Sequence, residues 1–206
     1  MFITLEGPEG SGKTTAVDYA VSKLEEMGYQ IVRTREPGGT PIAEQIRNVI
    51  LDKNNTAMDE RTEALLYAAS RRQHLVEKVW PALKEGKIVI CDRYLDSSLA
   101  YQGGARGLGV ENILNVNNFA TEGTFPDLTL LFDIDPQIGL ARIAANANRE
   151  VNRLDLEKID FHNKVRESFL ALAKRFPDRY VIIDASQDRE TVAKNTLEAI
   201  LARLCK

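Results

Sequence analysis

The segment FITLEGPEGSGKTT, residues 2–15, joins a short apolar run to a glycine-rich loop and to the start of a segment with helical spacing. Residues 7–14 match the pattern G-x-x-x-x-G-K-[ST] in full. Glycines let the backbone turn tightly so that successive N–H groups point inward, and the following helix adds its positive N-terminal end. A strand, this loop and a helix in that order predict a phosphate-binding site. In such a site Lys13 reaches the β- and γ-phosphates and the Thr14 hydroxyl binds Mg²⁺.

Outward from this loop, short apolar runs alternate with longer segments of helical period. Further strands are predicted at Ile31–Val32, Ile88–Cys91, Leu128–Phe132 and Val181–Ile183. Helices are predicted at residues 16–27, 41–50, 59–81 (with a kink or stop near Pro81), 110–120, 138–147, 155–175 and 188–204. This alternation implies right-handed crossovers. We therefore expect an α/β, three-layer fold of the P-loop NTPase type, with a five-stranded parallel sheet flanked by helices on both faces. Periodicity leaves the strand order open, and no linker divides residues 1–206, so a single domain is expected.

Composition narrows the possible functions. The 27 basic and 30 acidic residues give a net charge of −3, which argues against a protein that coats nucleic acid. The two cysteines form no CxxC pair, so structural zinc is not expected and a reduced, intracellular chain is the natural interpretation. No apolar run has the length of a membrane span, and the first residues lack the features of a signal peptide. We therefore expect a cytoplasmic protein whose positive charge is concentrated at one site.

An acidic residue, Asp92, directly follows the wholly apolar run 88–91. Asp92 is expected to help hold Mg²⁺, through water, although an aspartate after a strand can also be a turn or cap residue. The guanine-binding motif N-K-x-D of regulatory GTPases is missing from the chain, and helicases and motor ATPases are longer. The loop and the chain length together favour a small phosphotransferase.

Three groups outside the glycines and Lys13 also suit a phosphotransferase. Glu9 lies inside the loop, where it either accepts a hydrogen bond from a substrate hydroxyl or an arginine, or is merely solvated. Tyr67 and Arg71 are four residues apart on one helix face and suit a planar base with acceptor oxygens, although core packing and a solvated charge explain them as well. Arg93, after the strand at 88–91, is placed to bind an acceptor phosphate.

Three arginines, Arg142, Arg149 and Arg153, would share one face if the helix around them continued, because their spacings are seven and eleven residues. A mobile lid at about residues 142–155 that brings arginines to the phosphates is one interpretation, and a solvated basic face is the other. His74 and His162 are interpreted as ordinary helix residues.

Five segments together resemble the bacterial thymidylate kinase family. They are EGPEGSGKTT (6–15), TREPGGT (34–40), LYAASRRQHL (66–75), DRYLDSSLAYQG (92–103) and FPDLTL (125–130). The resemblance implies Mg²⁺-dependent transfer of the ATP γ-phosphate to dTMP, which gives dTDP and ADP. It also implies a homodimer, with the helix Asp59–Trp80 as a candidate interface element. No partner beyond these small molecules, and no nucleic acid or membrane, is implied.

The resemblance also assigns site residues. It implies that ATP contacts Gly7, Pro8, Glu9, Gly10, Ser11, Gly12, Lys13, Thr14 and Thr15. It implies that dTMP contacts Glu9, Glu36, Pro37, Tyr67, Arg71, Arg93, Ser97, Ser98, Tyr101 and Gln102, with Tyr101 set against C2′ of the sugar. The metal would be held by Thr14 and Asp92. The family places its catalytic arginine either in the loop or in the lid, and the loop's variable positions carry no basic residue. Arg142, Arg149 and Arg153 are therefore the expected lid donors beside the catalytic Lys13 and Arg93.

Two other functions stay open on the residues alone. A deoxynucleoside kinase would phosphorylate a hydroxyl and need a carboxylate base, for which Asp92 or Glu36 could serve. A nucleotide-dependent binding switch would need a partner surface and slow hydrolysis, and it would leave the Tyr67–Arg71 pair without a purpose. The preference for ATP as donor and the strictness for dTMP over dUMP are also left open.

Overall fold

Five parallel strands form the sheet in the computed structural model, which describes residues 1–145 and 153–205. The strands are β1 (Phe2–Glu6), β2 (Ile31–Arg35), β3 (Ile88–Asp92), β4 (Leu128–Asp133) and β5 (Tyr180–Asp184). Their order in the sheet is β2-β3-β1-β4-β5, and each neighbouring pair runs parallel. β1 therefore lies at the centre, so the loop that follows it opens in the middle of the sheet edge.

The helices are α1 (Lys13–Glu26), α2 (Pro41–Leu51), α3 (Glu60–His74), α4 (Trp80–Lys84), α5 (Leu95–Ser98), α6 (Val110–Thr121), α7 (Pro136–Ala144), α8 (Ile159–Arg175) and α9 (Arg189–Leu204). π-Helical turns cover Leu75–Val79 and Leu99–Ala105, and a 3₁₀ turn covers Arg153–Leu156. Across residues 1–145 and 153–205, no helix combines the length and the apolar character that crossing a bilayer requires.

Helices cover both faces of the sheet, which confirms the predicted three-layer fold. Successive residues of β1 point to opposite faces, so Phe2 packs with Leu99 and Phe169 while Ile3 packs with residues of α1 and α9, such as Leu24. All five residues of β1 are buried. A strand between two helical layers is buried on both faces, and this position explains why such a strand is encoded by a continuous apolar run.

Two strand and helix predictions differ from the structure at their ends. β2 extends to Arg35 instead of stopping at Val32, and because β2 is an edge strand its polar residues alternate with partly buried ones. Of the two alternatives predicted near Pro81, a kink or a stop, the structure excludes the stop, because α4 continues to Lys84. The α-helical pattern that begins after Asp59 widens into the π-turn Leu75–Val79 just before this proline. The wider turn accommodates the ring and the missing N–H that an α-helix does not tolerate.

The segment predicted as one helix from residue 155 to 175 is divided. A 3₁₀ turn at Arg153–Leu156 comes first, and α8 begins only at Ile159 because Lys158 has an extended backbone. Leu154 is buried in the core. Residues 146–152, half of the lid predicted at about 142–155, lie outside the described residues.

Candidate active site

A cleft of about 940 Å³ opens at the carboxyl ends of the central strands. Its walls come from the loop after β1, the loop after β2, the cleft-facing side of α3, the segment after β3, the end of α7 and the loop after β5. Ligands of open α/β sheets bind at this edge. Among the predicted donor residues, Glu9, Gly10, Ser11, Gly12, Lys13, Thr14 and Thr15 line the cleft. Gly7 and Pro8 lie behind them and contact Lys13 through their carbonyl oxygens.

The glycine-rich loop is pressed against α7. Gly10 has a positive φ of 69°, and a Cβ there would collide with the carbonyl oxygen of Gly139. Gly12, at φ 80°, is the residue before α1, and no side chain caps this end of the helix. The first N–H groups of α1 consequently have no capping side chain and are free to bind an anion. The loop has the geometry of a phosphate cradle.

The Lys13 ammonium is buried in the loop. Nζ donates to the carbonyl oxygens of Gly7 and Pro8 at 3.3 and 3.2 Å and to Ser11 Oγ at 3.1 Å. Burial, together with the charge of Arg93, lowers the pKa of Lys13 to about 8. A phosphate in the loop would offset this loss of solvation, because an anion favours the charged amine.

Glu9 is not a solvated loop carboxylate but a link across the cleft. Its Oε1 accepts from Arg93 Nη2 at 2.7 Å and from the Tyr101 hydroxyl at 3.2 Å. Arg93 also donates to Ser97 Oγ at 3.2 Å and has a left-handed backbone with φ 65°. The backbone N–H of Arg93 donates to the Leu5 carbonyl oxygen at 2.9 Å, which continues the pairing of β3 with β1. The guanidinium is thereby aimed at the phosphate loop.

Arg71 forms the most buried charged part of the cleft wall and is 1% exposed. Its Nε donates to Glu36 Oε2 at 2.7 Å, and its Nη1 donates to Ser98 Oγ at 3.1 Å and to Asn117 Oδ1. The other oxygen of Glu36 contacts His74 Nδ1 at 2.9 Å. Arg71 is therefore held rigidly and is not a solvated charge.

The interpretation of His74 as an ordinary helix residue is wrong. His74 is fully buried, and its ring joins Thr34 Oγ1 (2.6 Å from Nε2) to Glu36. His74 follows Arg71 by three residues on the same helix, and this spacing was the signal that could have placed it beside Arg71. Asn117 and Glu63 were also missed, and no local pattern marks them.

The remaining predicted acceptor residues also line the cleft. Pro37, Tyr67, Ser97, Ser98 and Gln102 do so together with the charged groups. Burial raises the pKa of Tyr67, so its hydroxyl stays protonated, and its ring is half-buried at the cleft wall. Gln102 Nε2 donates to Glu63 Oε1 at 2.7 Å.

Of the three predicted lid arginines, Arg142 and Arg153 do not share a helix face. α7 ends at Ala144 and Arg153 begins a 3₁₀ turn, so the continuous helix that would align them is not formed. Arg142 lines the cleft and donates to the Ala185 carbonyl oxygen at 3.1 Å, in the loop after β5. Arg153 is buried, with Nε donating to the Ile50 carbonyl oxygen at 3.0 Å and Nη2 to Glu63. Arg149 lies outside the described residues.

The two predicted metal ligands fit a hard cation. Thr14 and Asp92 both line the cleft, and Asp92 Oδ1 is a buried oxygen without a hydrogen-bond partner among the described residues. Oxygen atoms of this kind are the ligands that Mg²⁺ prefers.

The cluster Glu36, His74 and Cys91 also brings potential ligand atoms together, but it does not fit a metal. Both nitrogens of His74 and both oxygens of Glu36 already have hydrogen-bond partners. Burial raises the pKa of the Cys91 thiol, which therefore stays protonated.

This fold and this cleft define a P-loop nucleotide phosphotransferase. A family model described as thymidylate kinase matches residues 5–196. The chain is 57% identical over 203 residues to "Thymidylate kinase" of Geobacillus sp. (strain WCH70), covering 98% of this chain and 97% of that protein. It is 58% identical over 206 residues to "Thymidylate kinase" of Bacillus velezensis, covering 100% and 97%. The crystal structure of thymidylate kinase from Ehrlichia chaffeensis superposes with a TM-score of 0.79 at 33% identity, covering 98% of each chain. The chain belongs to the thymidylate kinase family.

Proposed function

We propose that this cleft transfers the γ-phosphate of ATP to dTMP and so produces ADP and dTDP. The observation that carries the proposal is the contact between the phosphate loop and the acceptor side, where Glu9 and Arg93 meet at 2.7 Å. A transfer between two phosphates needs the donor and acceptor groups side by side and their charges neutralised. Lys13 on the donor side and Arg93 on the acceptor side supply the positive charge, and the Glu9–Arg93 ion pair holds the two sides together.

On the donor side, Lys13 and the N-terminal N–H groups of α1 would bind the β- and γ-phosphates. Thr14 and Asp92 would hold Mg²⁺, which when bound neutralises phosphate charge. Arg142 would lie beside the donor nucleotide, near the loop after β5, and this role is supported by its contact with Ala185. Catalysis here is positioning and electrostatics, because an acceptor phosphate is already largely ionised near neutral pH and needs no general base.

On the acceptor side, Arg93 would bind the phosphate of dTMP while Glu9 and Tyr101 face the sugar. Tyr67 would stack on the base, and the donor groups of Arg71 would meet a base carbonyl. Glu36 would act through Arg71, to which it is bonded at 2.7 Å. Pro37, Ser97, Ser98 and Gln102 would complete the acceptor wall.

We also propose that residues 1–206 work as one kinase domain with a lid at about 142–155. Arg149 stays a prediction as the arginine that reaches the transferring phosphate. The contacts of Arg153 with Ile50 and Glu63 support an anchoring role for it, because both its Nε and its Nη2 are engaged away from the cleft.

The nearest alternative, a deoxynucleoside kinase, is disfavoured by the contacts of Glu36. A base that accepts a proton from a hydroxyl must have an oxygen within reach of it, and both oxygens of Glu36 are engaged by Arg71 and His74. Asp92 remains as a base in that scheme, but Arg93 would have no acceptor phosphate to bind. A binding switch would not need the buried wall around Arg71.

The deciding experiment is an ADP-release assay with ATP and Mg²⁺ across dTMP, dUMP, dCMP, dGMP and thymidine. We expect turnover with dTMP and none with thymidine. Turnover with thymidine but not dTMP would establish the deoxynucleoside kinase instead, and slow ATP hydrolysis that no acceptor stimulates would support the switch.

We further propose a cytoplasmic homodimer. Three large apolar side chains are exposed on neighbouring elements of the fold: Leu65 on α3 (59%), Val76 in the π-turn after α3 (45%) and Phe119 on α6 (90%). An ion pair between Arg72 of α3 and Glu122, the residue after α6, joins the two helices. Apolar residues exposed on adjacent helices suit a self-association surface. Sedimentation velocity is expected to show a dimer that Phe119→Glu converts to a monomer, and a monomeric wild type would refute the proposal.

A further inference from the structure

Helix α3 presents three side chains along one face at intervals of four residues: Glu63, Tyr67 and Arg71. Tyr67 and Arg71 line the cleft, whereas Glu63 lies behind the cleft wall and is 1% exposed. A buried carboxylate is costly unless its oxygens are satisfied, so its partners indicate what it does.

Glu63 accepts hydrogen bonds on both oxygens. Oε1 accepts from Gln102 Nε2 at 2.7 Å, and Oε2 accepts from Arg153 Nη2. Arg106 approaches both oxygens at the longer distance of 3.4 Å. Burial by itself would raise the pKa of this carboxyl, but the hydrogen bonds from Arg153 and Gln102 and the charges of the two arginines bring the pKa of Glu63 below its ordinary value. Glu63 is therefore ionised near neutral pH.

An ionised carboxylate can only accept hydrogen bonds, and this decides the orientation of the Gln102 amide. The NH₂ group must face Glu63, so the carbonyl oxygen Oε1 faces the other way. Gln102 is buried and lines the cleft, and in the described part of the chain nothing donates to its Oε1. The cleft wall thus offers an acceptor at Gln102 beside the donors of Arg71.

We propose that Glu63 is a positioning residue that sets base specificity by turning the carbonyl oxygen of Gln102 toward the acceptor base. Thymine and uracil carry a ring N–H next to a carbonyl oxygen, and this pair complements Gln102 Oε1 and Arg71. Cytosine has an acceptor nitrogen next to an amino group at the same edge, so it meets the wall with both polarities reversed. The inference rests on the proposed function, since it concerns how the acceptor nucleotide is chosen.

The test is Glu63→Gln, assayed with dTMP and dCMP at saturating ATP. A neutral amide at this position can donate as well as accept, so the orientation of Gln102 is no longer decided. We expect kcat/KM for dTMP to fall about tenfold and kcat/KM for dCMP to stay level or rise, so that the ratio falls at least about tenfold. A general loss of structure would lower both values together.

The matched control is Arg106→Met, which removes one cation from Glu63 and keeps the Gln102 contact. Its dTMP-to-dCMP ratio should stay within about twofold of the wild-type ratio, because the hydrogen bond that orients Gln102 remains. A wild type that fails to use dTMP would refute the proposed function. A wild type that uses dTMP while Glu63→Gln keeps its ratio, or while the control loses it equally, would overturn the role of Glu63.

A second measurement needs no Glu63 variant and therefore holds if Glu63→Gln does not fold. In wild-type protein labelled with ¹⁵N-glutamine, with Gln102→Met for assignment, the side-chain NH₂ signals of Gln102 should exchange slowly with water both with and without dTMP. Rapid exchange of both protons in the free protein would mean that the NH₂ group faces the cleft, which contradicts the proposal.

Discussion

Arg93 allows the stability of the fold and the chemistry of the site to be tested separately. Its φ of 65° lies in the left-handed region, which costs a non-glycine residue about 1–2 kcal/mol. Glycine avoids that cost but loses about 0.5–1 kcal/mol through the greater freedom of the unfolded chain. Arg93→Gly should therefore be more stable than Arg93→Ala by about 0.5–1 kcal/mol, the reverse of the usual order of these two residues.

Both variants lose the same side chain and should lose the same function. Arg93 Nη2 lies 2.7 Å from Glu9 Oε1, beside the phosphate loop, where the acceptor phosphate is proposed to bind. Removing one preorganised donor from such a site typically costs about 10²–10³ in rate. We expect kcat/KM for dTMP to fall by about that factor in both variants, while the Kd for ATP changes less than about threefold.

Two assays check this prediction. Urea denaturation followed by circular dichroism gives the free energies of unfolding, and coupled ADP release gives the kinetic constants. Equal stability of the two variants would mean that the backbone at Arg93 is not strained. A dTMP efficiency within about tenfold of wild type would remove Arg93 from the acceptor site.

Two further residues give sharp expectations. Lys13→Ala should lower kcat by at least about 10²-fold, and near-normal turnover would disprove its phosphate contact. Because the pKa of Lys13 is lowered to about 8, its ammonium group loses a proton above that pH in the free protein and must regain it to bind ATP. Titrations between about pH 7 and 9.5 should show ATP affinity falling through about pH 8, with Lys13→Arg staying flat; a flat wild-type profile is the contrary result. Arg179 donates to the two carboxylate oxygens of the fully buried Asp96 at 2.6 and 2.7 Å, and Arg179→Met leaves this carboxylate without its cation. Urea denaturation should show that Arg179→Met lowers the free energy of unfolding by about 3–5 kcal/mol, and that adding Asp96→Asn recovers most of this loss. A loss below about 1 kcal/mol would contradict the prediction.

The sequence predicted well what short stretches of chain encode. The loop at residues 7–14, the helix cap at Asp59 and the five strands each rest on neighbouring residues. The Asp59 side chain accepts from the N–H groups of Arg61 and Thr62, as an N-cap residue does. The differences lie where helical spacing meets tertiary packing, as at the helix predicted from residue 155, which begins only at Ile159. Arg142 and Arg153 would share a face only if the helix continued between them, but Leu154 is buried in the core and its turn is 3₁₀.

Spacing could not identify the partners of the buried charges. Spacing allows Glu9 to meet a substrate hydroxyl, an arginine or only solvent, and the structure pairs it with Arg93, 84 residues away. Glu36 could serve as a base on sequence alone, but in the structure Arg71 and His74 occupy both of its oxygens. Glu63 carried no local signal at all, because a glutamate in the first turn of a helix is ordinarily a solvated, dipole-compatible residue.

The sequence by itself determined the phosphate loop, because the N–H groups and the lysine that form it lie within eight consecutive residues. Only the tertiary structure decided the strand order β2-β3-β1-β4-β5, which brings the segments after β1, β2 and β3 to one cleft. The same packing chose Gln102 and Arg153 as partners of Glu63 and left Arg71 rigid between Glu36 and Asn117. The reason is physical: a buried charge needs a partner that reaches it in space, and separation along the chain does not tell which residue that is.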